Sequence, residues 1–296
     1  IRLFEHGAPG SQNFKLTRKY YTEDMPDGRV KHIVQNITDP DIVPYIPDGI
    51  GNSTDRQRIP AVLIIPGGAF RRLVYNFEGE DVAKWLNSMG IAAFVLECRL
   101  PSDEHDNAED VPLIDAMRAM RVIRGRAQEF GIDEAKIGVM GFSAGGFMAA
   151  LLSTAYESDV YADYKYKDEY DKLSARPDFA VCSYPVISID DCIEAGKRYM
   201  SEEQVLERIS DSKAKILHKY NPDKLVRPDM PPVFICETDD DRTTLSENSV
   251  GFYMAARKAG VSAELHIFRT GGHGYGCGDD FAQTGEWKVL FTKWIK

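Results

Sequence analysis

The sequence predicts an α/β fold with one mostly parallel sheet, and three observations support this prediction. From residue 61 onward, short apolar runs alternate with segments of helical periodicity. The apolar runs, such as residues 61–65, are almost continuous, which is typical of parallel strands buried on both faces. No internal repeat, low-complexity tract or Gly/Ser linker divides the chain. We therefore expect a single domain over residues 1–296, with helices on both faces of the sheet.

The predicted elements follow one another in β-then-α order. We expect core strands at residues 61–65, 91–96, 137–140, 179–184, 233–236 and 263–268, and helices at 78–89, 111–130, 144–152, 244–259 and 287–295. Two short antiparallel strands, 30–37 and 43–46, are expected on either side of the turn at Asp39 to Asp41. Thr244 and Glu247 predict a capping box. Segment 188–229 lies between two core strands and is helical in parts, so we expect a small cap or lid inserted there.

Composition and charge exclude several classes of function. The net charge of −10 repels phosphate backbones and anionic lipid, so neither nucleic acid nor a membrane is an expected partner. The five cysteines include no CxxC pair, which argues against a zinc or redox motif. The acidic cluster at 239–241 offers too few fixed oxygens to hold calcium, so no metal is expected. No other cofactor is expected either. The chain begins at Ile1 rather than Met, so we expect a processed or trimmed chain, in which a removed signal peptide would leave no trace.

A G-x-S-x-G motif at residues 141–145 supplies the candidate nucleophile, Ser143. The motif has mechanical meaning only at a junction between a strand and a helix, where the serine occupies a tight turn flanked by glycines. The predicted strand ends at residue 140 and the predicted helix begins at 144, which is this context. The sequence therefore predicts the nucleophile elbow of an α/β-hydrolase.

A serine needs a base, and in this fold the order along the chain is serine, acid, histidine. His273 lies in a glycine-rich loop just after the last core strand, so we expect it to be the base. His266 lies within that strand and is interpreted as structural or at the surface. The acid is expected after strand 233–236, where Glu237, Asp239, Asp240 and Asp241 are all candidates; spacing alone does not separate Asp239 from Asp240.

The glycine-rich segment 66–70 follows the first core strand, where α/β-hydrolases place a backbone donor for the oxyanion. We expect the amides of Gly68 or Ala69 to serve there, together with the amide of Ala144 at the helix N-terminus. Aromatic residues beside these loops are candidates for binding substrate; they are Phe70, Tyr75, Phe142 and Tyr275.

Seven segments give the chain its resemblance to a known family: 65–70, 78–86, 99–101, 141–146, 176–179, 184–188 and 231–234. The chain resembles the bacterial acetyl-xylan-esterase-like and feruloyl-esterase-like α/β-hydrolases, a group of carbohydrate esterases. The family pattern Thr-Ala-Asp-Asp, matched to residues 238–241, implies that Asp240 is the triad acid. Two positions depart from the pattern, since Ala69 stands where a third glycine is common and Phe147 where a histidine is common.

The resemblance implies a serine esterase that removes acetyl groups from xylan or related sugars through an acyl-enzyme formed on Ser143. Its partner would be a small-molecule or oligosaccharide ester, and a periplasmic or secreted location is favoured over a cytoplasmic one. Two alternatives remain: a serine peptidase of the prolyl-oligopeptidase type, which usually carries a repeat-built gate, and a carbohydrate-binding homologue without activity.

Overall fold

The computed structural model describes residues 1–50, 58–103, 105–198, 200–201, 203–205, 212–278 and 282–296. Its main sheet has seven strands in the order β10-β9-β8-β7-β4-β6-β3. All neighbouring pairs are parallel except β3 with β6. The strands are β3 (Asp41–Tyr45), β4 (Ile59–Ile65), β6 (Ala92–Glu97), β7 (Ile132–Phe142), β8 (Ala180–Ser183), β9 (Val233–Thr238) and β10 (Ala263–Phe268).

The two faces of this sheet are covered by separate apolar cores. In β4, Leu63 and Ile65 point into one core, whereas Val62 and Ile64 point into the other. This alternation is the two-residue period of a strand, and both sets are apolar because both faces are covered. The helices are α1 (Asp81–Ser88), α2 (Val111–Gly125), α3 (Ala127–Phe130), α4 (Ala144–Ala155), α5 (Ile189–Lys197), α6 (Ser212–Lys219), α7 (Ser246–Lys258) and α8 (Ala282–Trp294).

Several helix predictions need correction. The helix predicted over 287–295 begins earlier, at Ala282, and the one predicted over 78–89 begins as a π-helical turn, Asn76–Glu80. The helix predicted over 111–130 is interrupted at Arg126, so it forms α2 and the short α3. The predicted capping box at Thr244 is wrong, because α7 begins at Ser246 and Leu245 occupies the cap position without a side-chain hydrogen bond. The Thr244 hydroxyl donates instead to Asp241.

The N-terminal strands are antiparallel as predicted, but they do not pair with each other. β2 (Val30–Gln35) pairs with β1 (Lys19–Asp24) and with β5 (Leu73–Val74) in a separate three-stranded sheet. β3 leaves this sheet and forms the antiparallel edge of the main one, beside β6. The turn at Asp39 to Asp41 therefore transfers the chain from one sheet to the other.

Between β8 and β9, the described part of segment 188–229 contains α5, α6 and a 3₁₀ turn, Pro222–Lys224. Buried Ile189, Ile216 and Leu217 pack these helices against one of the two cores. Lys219 and Tyr220 both bind the Asp110 carboxylate beside α2. Within the described residues, no helix is long and apolar enough to cross a lipid bilayer.

Candidate active site

The elbow is a backbone turn in which neighbouring peptides touch. Ser143 lies between β7 and α4 with φ 54° and ψ −116°, in a region that L-residues rarely adopt. A Cβ on Gly141 would lie 1.9 Å from the Gly145 carbonyl oxygen, and one on Gly145 would lie 1.9 Å from that of Ile65. Only glycine fits at either position, so the structure places the predicted turn at the predicted junction.

The histidine loop, residues 269–278, follows β10 and brings the imidazole to the serine. His273 Nε2 lies 2.8 Å from Ser143 Oγ, with the serine hydroxyl as donor when this nitrogen is unprotonated. Gly272 and Gly274 have φ values of 63° and 78°, which glycine adopts without steric cost. The structure therefore brings together the nucleophile and base that the sequence predicted.

The aspartate that contacts the imidazole is Asp241, and not Asp240 as expected. In the described structure, His273 Nδ1 donates to Asp241 Oδ2 at 2.6 Å. Asp240 lies in the same loop, but its Oδ1 accepts the amides of Gly271 and Gly272 at 2.9 and 2.8 Å. Asp240 thus holds the histidine loop rather than the imidazole. The family match had shifted the acid by one residue within three consecutive aspartates.

The environment of Asp241 keeps its carboxylate ionised. Burial by itself would raise its pKa, but hydrogen bonding and charge from His273 and the backbone donors of Thr243 and Thr244 outweigh burial and lower the pKa below its ordinary value. The Asp241 side chain is inaccessible to solvent. An ionised, dry carboxylate at Nδ1 fixes the imidazole tautomer whose other nitrogen can take a proton from Ser143.

The oxyanion loop, residues 66–70, faces the elbow. The Gly67 amide is not a free donor, since it donates to the buried Glu78 carboxylate at 2.8 Å. Among the described residues, none accepts a hydrogen bond from Gly68 or Ala69. Ala69 adopts φ 58°, so this position keeps the left-handed backbone that the family's glycine would adopt without strain.

The predicted pocket residues lie in different places. Phe70 lines a cavity with about 260 Å³ of empty space, its open mouth included, which also touches Gly67, Ala144 and Met148. The prediction that Phe142 binds substrate is wrong, because its ring is fully buried in the core on the other face of the sheet from Phe70. There it packs against Tyr184 and Trp287.

The two predicted tyrosines do not line this cavity. Tyr75 is half-buried, and its hydroxyl lies 3.3 Å from that of Tyr45. Tyr275 is buried against Tyr184, behind the imidazole. Phe147 stands where a histidine is common in the family, and packing explains the phenylalanine. Its ring meets Phe70 edge-on, with the ring centroids 5.4 Å apart.

Glu78 and Tyr184 approach the site, and the sequence did not assign them to it. Glu78 is the first residue of the helix predicted over 78–89, where an acidic side chain is favoured by the helix dipole and needs no further role. The structure buries it in a π-helical turn, Asn76–Glu80. Its burial depends on contacts with residues far along the chain, so the local sequence carried no signal of it.

Comparison with known families and proteins agrees with this fold. The BD-FAE family model matches residues 50–255. The chain is 30% identical to an acetylxylan esterase of Xylanibacter ruminicola over 238 residues, which cover 80% of this chain and 45% of that protein. It is 29% identical to endo-1,4-beta-xylanase B of Butyrivibrio fibrisolvens over 269 residues, covering 88% of this chain and 40% of that protein. The chain thus spans less than half the length of these curated relatives.

A solved structure matches over almost the full length of both chains. The acetyl ester-xyloside bifunctional hydrolase of Caldicellulosiruptor lactoaceticus superimposes with a TM-score of 0.71 at 35% identity. The match covers 100% of this chain and 94% of that one.

Proposed function

Since the chain belongs to the BD-FAE family of α/β-hydrolases, we propose that it is a serine carboxylesterase that removes acetyl groups from xylan or related sugars. One observation carries the proposal: Ser143 Oγ, the His273 ring and the Asp241 carboxylate form a continuous chain of contacts at 2.8 and 2.6 Å. This arrangement activates a hydroxyl for acyl transfer.

The proposed reaction has two halves. Ser143 Oγ attacks the ester carbonyl carbon while its proton passes to His273 Nε2, which then gives the proton to the departing sugar oxygen. Water, deprotonated by the same nitrogen, then attacks the acyl carbon. The bond from that carbon to Ser143 Oγ breaks, His273 Nε2 returns the proton to Oγ, and the carboxylic acid leaves. The negative oxygen formed in each half would be stabilised by the Ala144 amide and by that of Gly68 or Ala69. The residues named need no metal or cofactor for these steps.

The cavity supports a short acyl group. It opens beside the elbow, and Phe70, Leu100, Pro101 and Met148 give it apolar walls. These apolar walls suit the methyl group of an acetyl ester, and Arg72 and Arg99 also line the cavity. The names of two relatives, an acetylxylan esterase and an acetyl ester-xyloside bifunctional hydrolase, support sugars as the alcohol part.

The insertion at 188–229 is proposed as a cap that belongs to the same single domain. Its described helices share a core with the sheet, and Asp110 ties α6 to the start of α2. A protease cut within the cap should therefore lower the melting temperature of the whole chain. A fragment lacking the cap that melts unchanged would contradict this assignment.

The direct test compares an aryl acetate, an acetylated xylo-oligosaccharide, an aryl ferulate and a prolyl amide as substrates. We expect the two acetates to be cleaved fastest, and hydrolysis to vanish in Ser143→Ala. Faster cleavage of the prolyl amide would establish a peptidase instead. A fluorophosphonate should form an adduct at Ser143; intact protein that takes no adduct would show that the chain is not a serine hydrolase.

A further inference from the structure

A buried bridge of two side chains connects the oxyanion loop to the histidine loop without passing through Ser143. We propose that Glu78 and Tyr184, the two residues of this Glu78–Tyr184 bridge, are positioning residues that hold the oxyanion donors and the imidazole at a fixed separation. The inference rests on the esterase activity proposed above and deepens it.

Glu78 anchors the first end of the bridge. Its Oε2 accepts the Gly67 amide at 2.8 Å, and its Oε1 accepts the Tyr184 hydroxyl at 2.9 Å. A Cβ placed on Gly67 would lie 2.7 Å from Oε2 and 3.0 Å from Ser143 Cβ. The carboxylate therefore lies directly behind the oxyanion loop, at the point where that loop touches the elbow.

Tyr184 forms the second end, and it contacts every loop that carries the triad base and acid. Its hydroxyl accepts the Gly276 amide at 3.0 Å, and its ring packs edge-on against His273 with centroids 5.0 Å apart. Its carbonyl oxygen lies 3.3 Å from the Thr244 hydroxyl, which donates to Asp241 Oδ2 at 3.0 Å. The residue is fully buried and has φ 38°, a backbone conformation that tyrosine rarely adopts.

The donors and acceptors that meet in the bridge explain why a glutamate and a tyrosine can form it. Gly67 offers an N–H and Tyr184 offers an O–H, so the group between them must accept twice, which a carboxylate does. Burial raises the pKa of the Glu78 carboxyl, while the charge of His273 and the two donors oppose that rise. Buried donors left without a partner are costly, so the bridge strongly favours one geometry of the two loops.

That geometry matters because the loops come from opposite ends of the chain. Gly67 follows β4 and Gly276 follows β10, and these strands are not neighbours in the sheet. The strands β7, β8 and β9 lie between them, so no direct backbone ladder joins the oxyanion loop to the histidine loop. A displacement of about 1 Å between such groups costs on the order of 100-fold in rate.

The test measures kcat and KM with an aryl acetate, and separately the rate at which a fluorophosphonate forms an adduct at Ser143. Glu78→Leu removes both acceptors, and we expect kcat and adduct formation to fall about 100-fold. KM should stay within about threefold, because neither residue of the bridge lines the cavity beside the elbow. Glu78→Gln retains one acceptor and should recover part of the loss, to about 10-fold below wild type.

Tyr184→Phe should lower both rates about 10-fold, because it frees the Gly276 amide and leaves Glu78 with one donor. Combined with Glu78→Leu it should cost no more than Glu78→Leu alone, since both substitutions break one bridge. Glu80→Gln is the matched control: Glu80 lies on the same turn, but it is partly exposed and pairs with Lys84. Tyr164→Phe, which removes a hydroxyl bonded to the distant Gly7 carbonyl, is the second control. Both should stay within about twofold.

Three results would overturn the proposal: adduct formation within twofold of wild type in Glu78→Gln and Tyr184→Phe, additive losses in the double variant, or losses confined to KM. If Glu78→Leu does not fold, the other two variants decide alone. A fluorophosphonate reacts with an activated serine whichever ester the enzyme cleaves. Adduct formation therefore tests the Glu78–Tyr184 bridge separately from the proposed esterase activity. Wild type that forms the adduct but cleaves no ester would refute the esterase and leave the bridge to be judged by adduct rates. Wild type that forms no adduct would refute both.

Discussion

The elbow and the acid loop, residues 239–245, hold the two ends of the same Ser143–His273–Asp241 chain, but by different means. The elbow is held by close packing of peptides, in which Gly141 and Gly145 leave no room for a side chain. The acid loop is held by hydrogen bonds: Asp241 accepts the amides of Thr243 and Thr244, and Asp240 accepts two amides of the histidine loop.

The difference decides what the sequence reveals. Close packing demands one residue type, so the elbow leaves glycines at fixed positions. Hydrogen bonding to a carboxylate demands only an oxygen, and residues 239–241 are all aspartates. Which of them meets the imidazole is set by the path of the loop after β9. The predictions below separate what the two regions contribute.

The largest expected effect is on catalysis at the contact between the elbow and the histidine loop. Ser143→Ala and His273→Ala should each lower kcat by about 10⁵-fold while the melting temperature changes little, because both act in the reaction as one unit. Kinetics with an aryl acetate and thermal unfolding check this. The double variant should be no slower than either single one, and a further large loss would argue against a shared mechanism.

The second effect separates the aspartates. Asp241→Asn should lower kcat about 10⁴-fold, because an amide at Nδ1 favours the wrong tautomer of His273. Asp240→Asn keeps an acceptor for the amides of Gly271 and Gly272, so its loss should be about 10-fold or less.

Asp239→Asn is the control for this series and should match wild type. The order of the three kcat values is the measurement. A larger loss in Asp240→Asn than in Asp241→Asn would restore the assignment that the family match suggested.

The third prediction concerns stability of the elbow. Gly141→Ala should lower the free energy of unfolding by about 3 kcal/mol or more, because the new Cβ would overlap a backbone carbonyl. Gly251→Ala in α7 is the matched control, since its Cβ would have nothing within 4 Å. That control should stabilise the protein by about 1 kcal/mol, as alanine replaces glycine within a helix. Denaturant unfolding gives both values, and equal values would show that the elbow is not tightly packed.

The smallest expected effect is the pH dependence of stability at the acid loop. The folded state lowers the pKa of Asp241, so this group stabilises the protein above its unfolded pKa of about 3.9. The stabilisation is lost as pH falls through the lower folded value. Wild type should therefore have a larger free energy of unfolding than Asp241→Asn at pH 7. This difference should shrink as the pH falls from 7 to 3. A difference that is constant or grows toward acid would show that His273 does not stabilise the ionised carboxylate.

The fold, the elbow and His273 were predictable because each follows from a local pattern. Apolar runs such as residues 61–65 indicate strands buried on both faces, and the glycines at 141 and 145 mark the turn. The family resemblance is confirmed by the BD-FAE match and by the relatives. Contacts between distant segments were not predictable; these are the choice of Asp241 as the partner of His273 and the burial of Glu78. The hydrogen bond from Thr244 to Asp241 is local, but it depends on the path of the acid loop, which the sequence does not specify.

The order in which the site's parts occur along the chain has a consequence for its synthesis. The serine leaves the ribosome 130 residues before the histidine that activates it. The oxyanion loop precedes both, and β10 must join the sheet before the imidazole reaches the elbow. During synthesis the Ser143 hydroxyl therefore exists without its imidazole partner until the loop that follows β10 has been made.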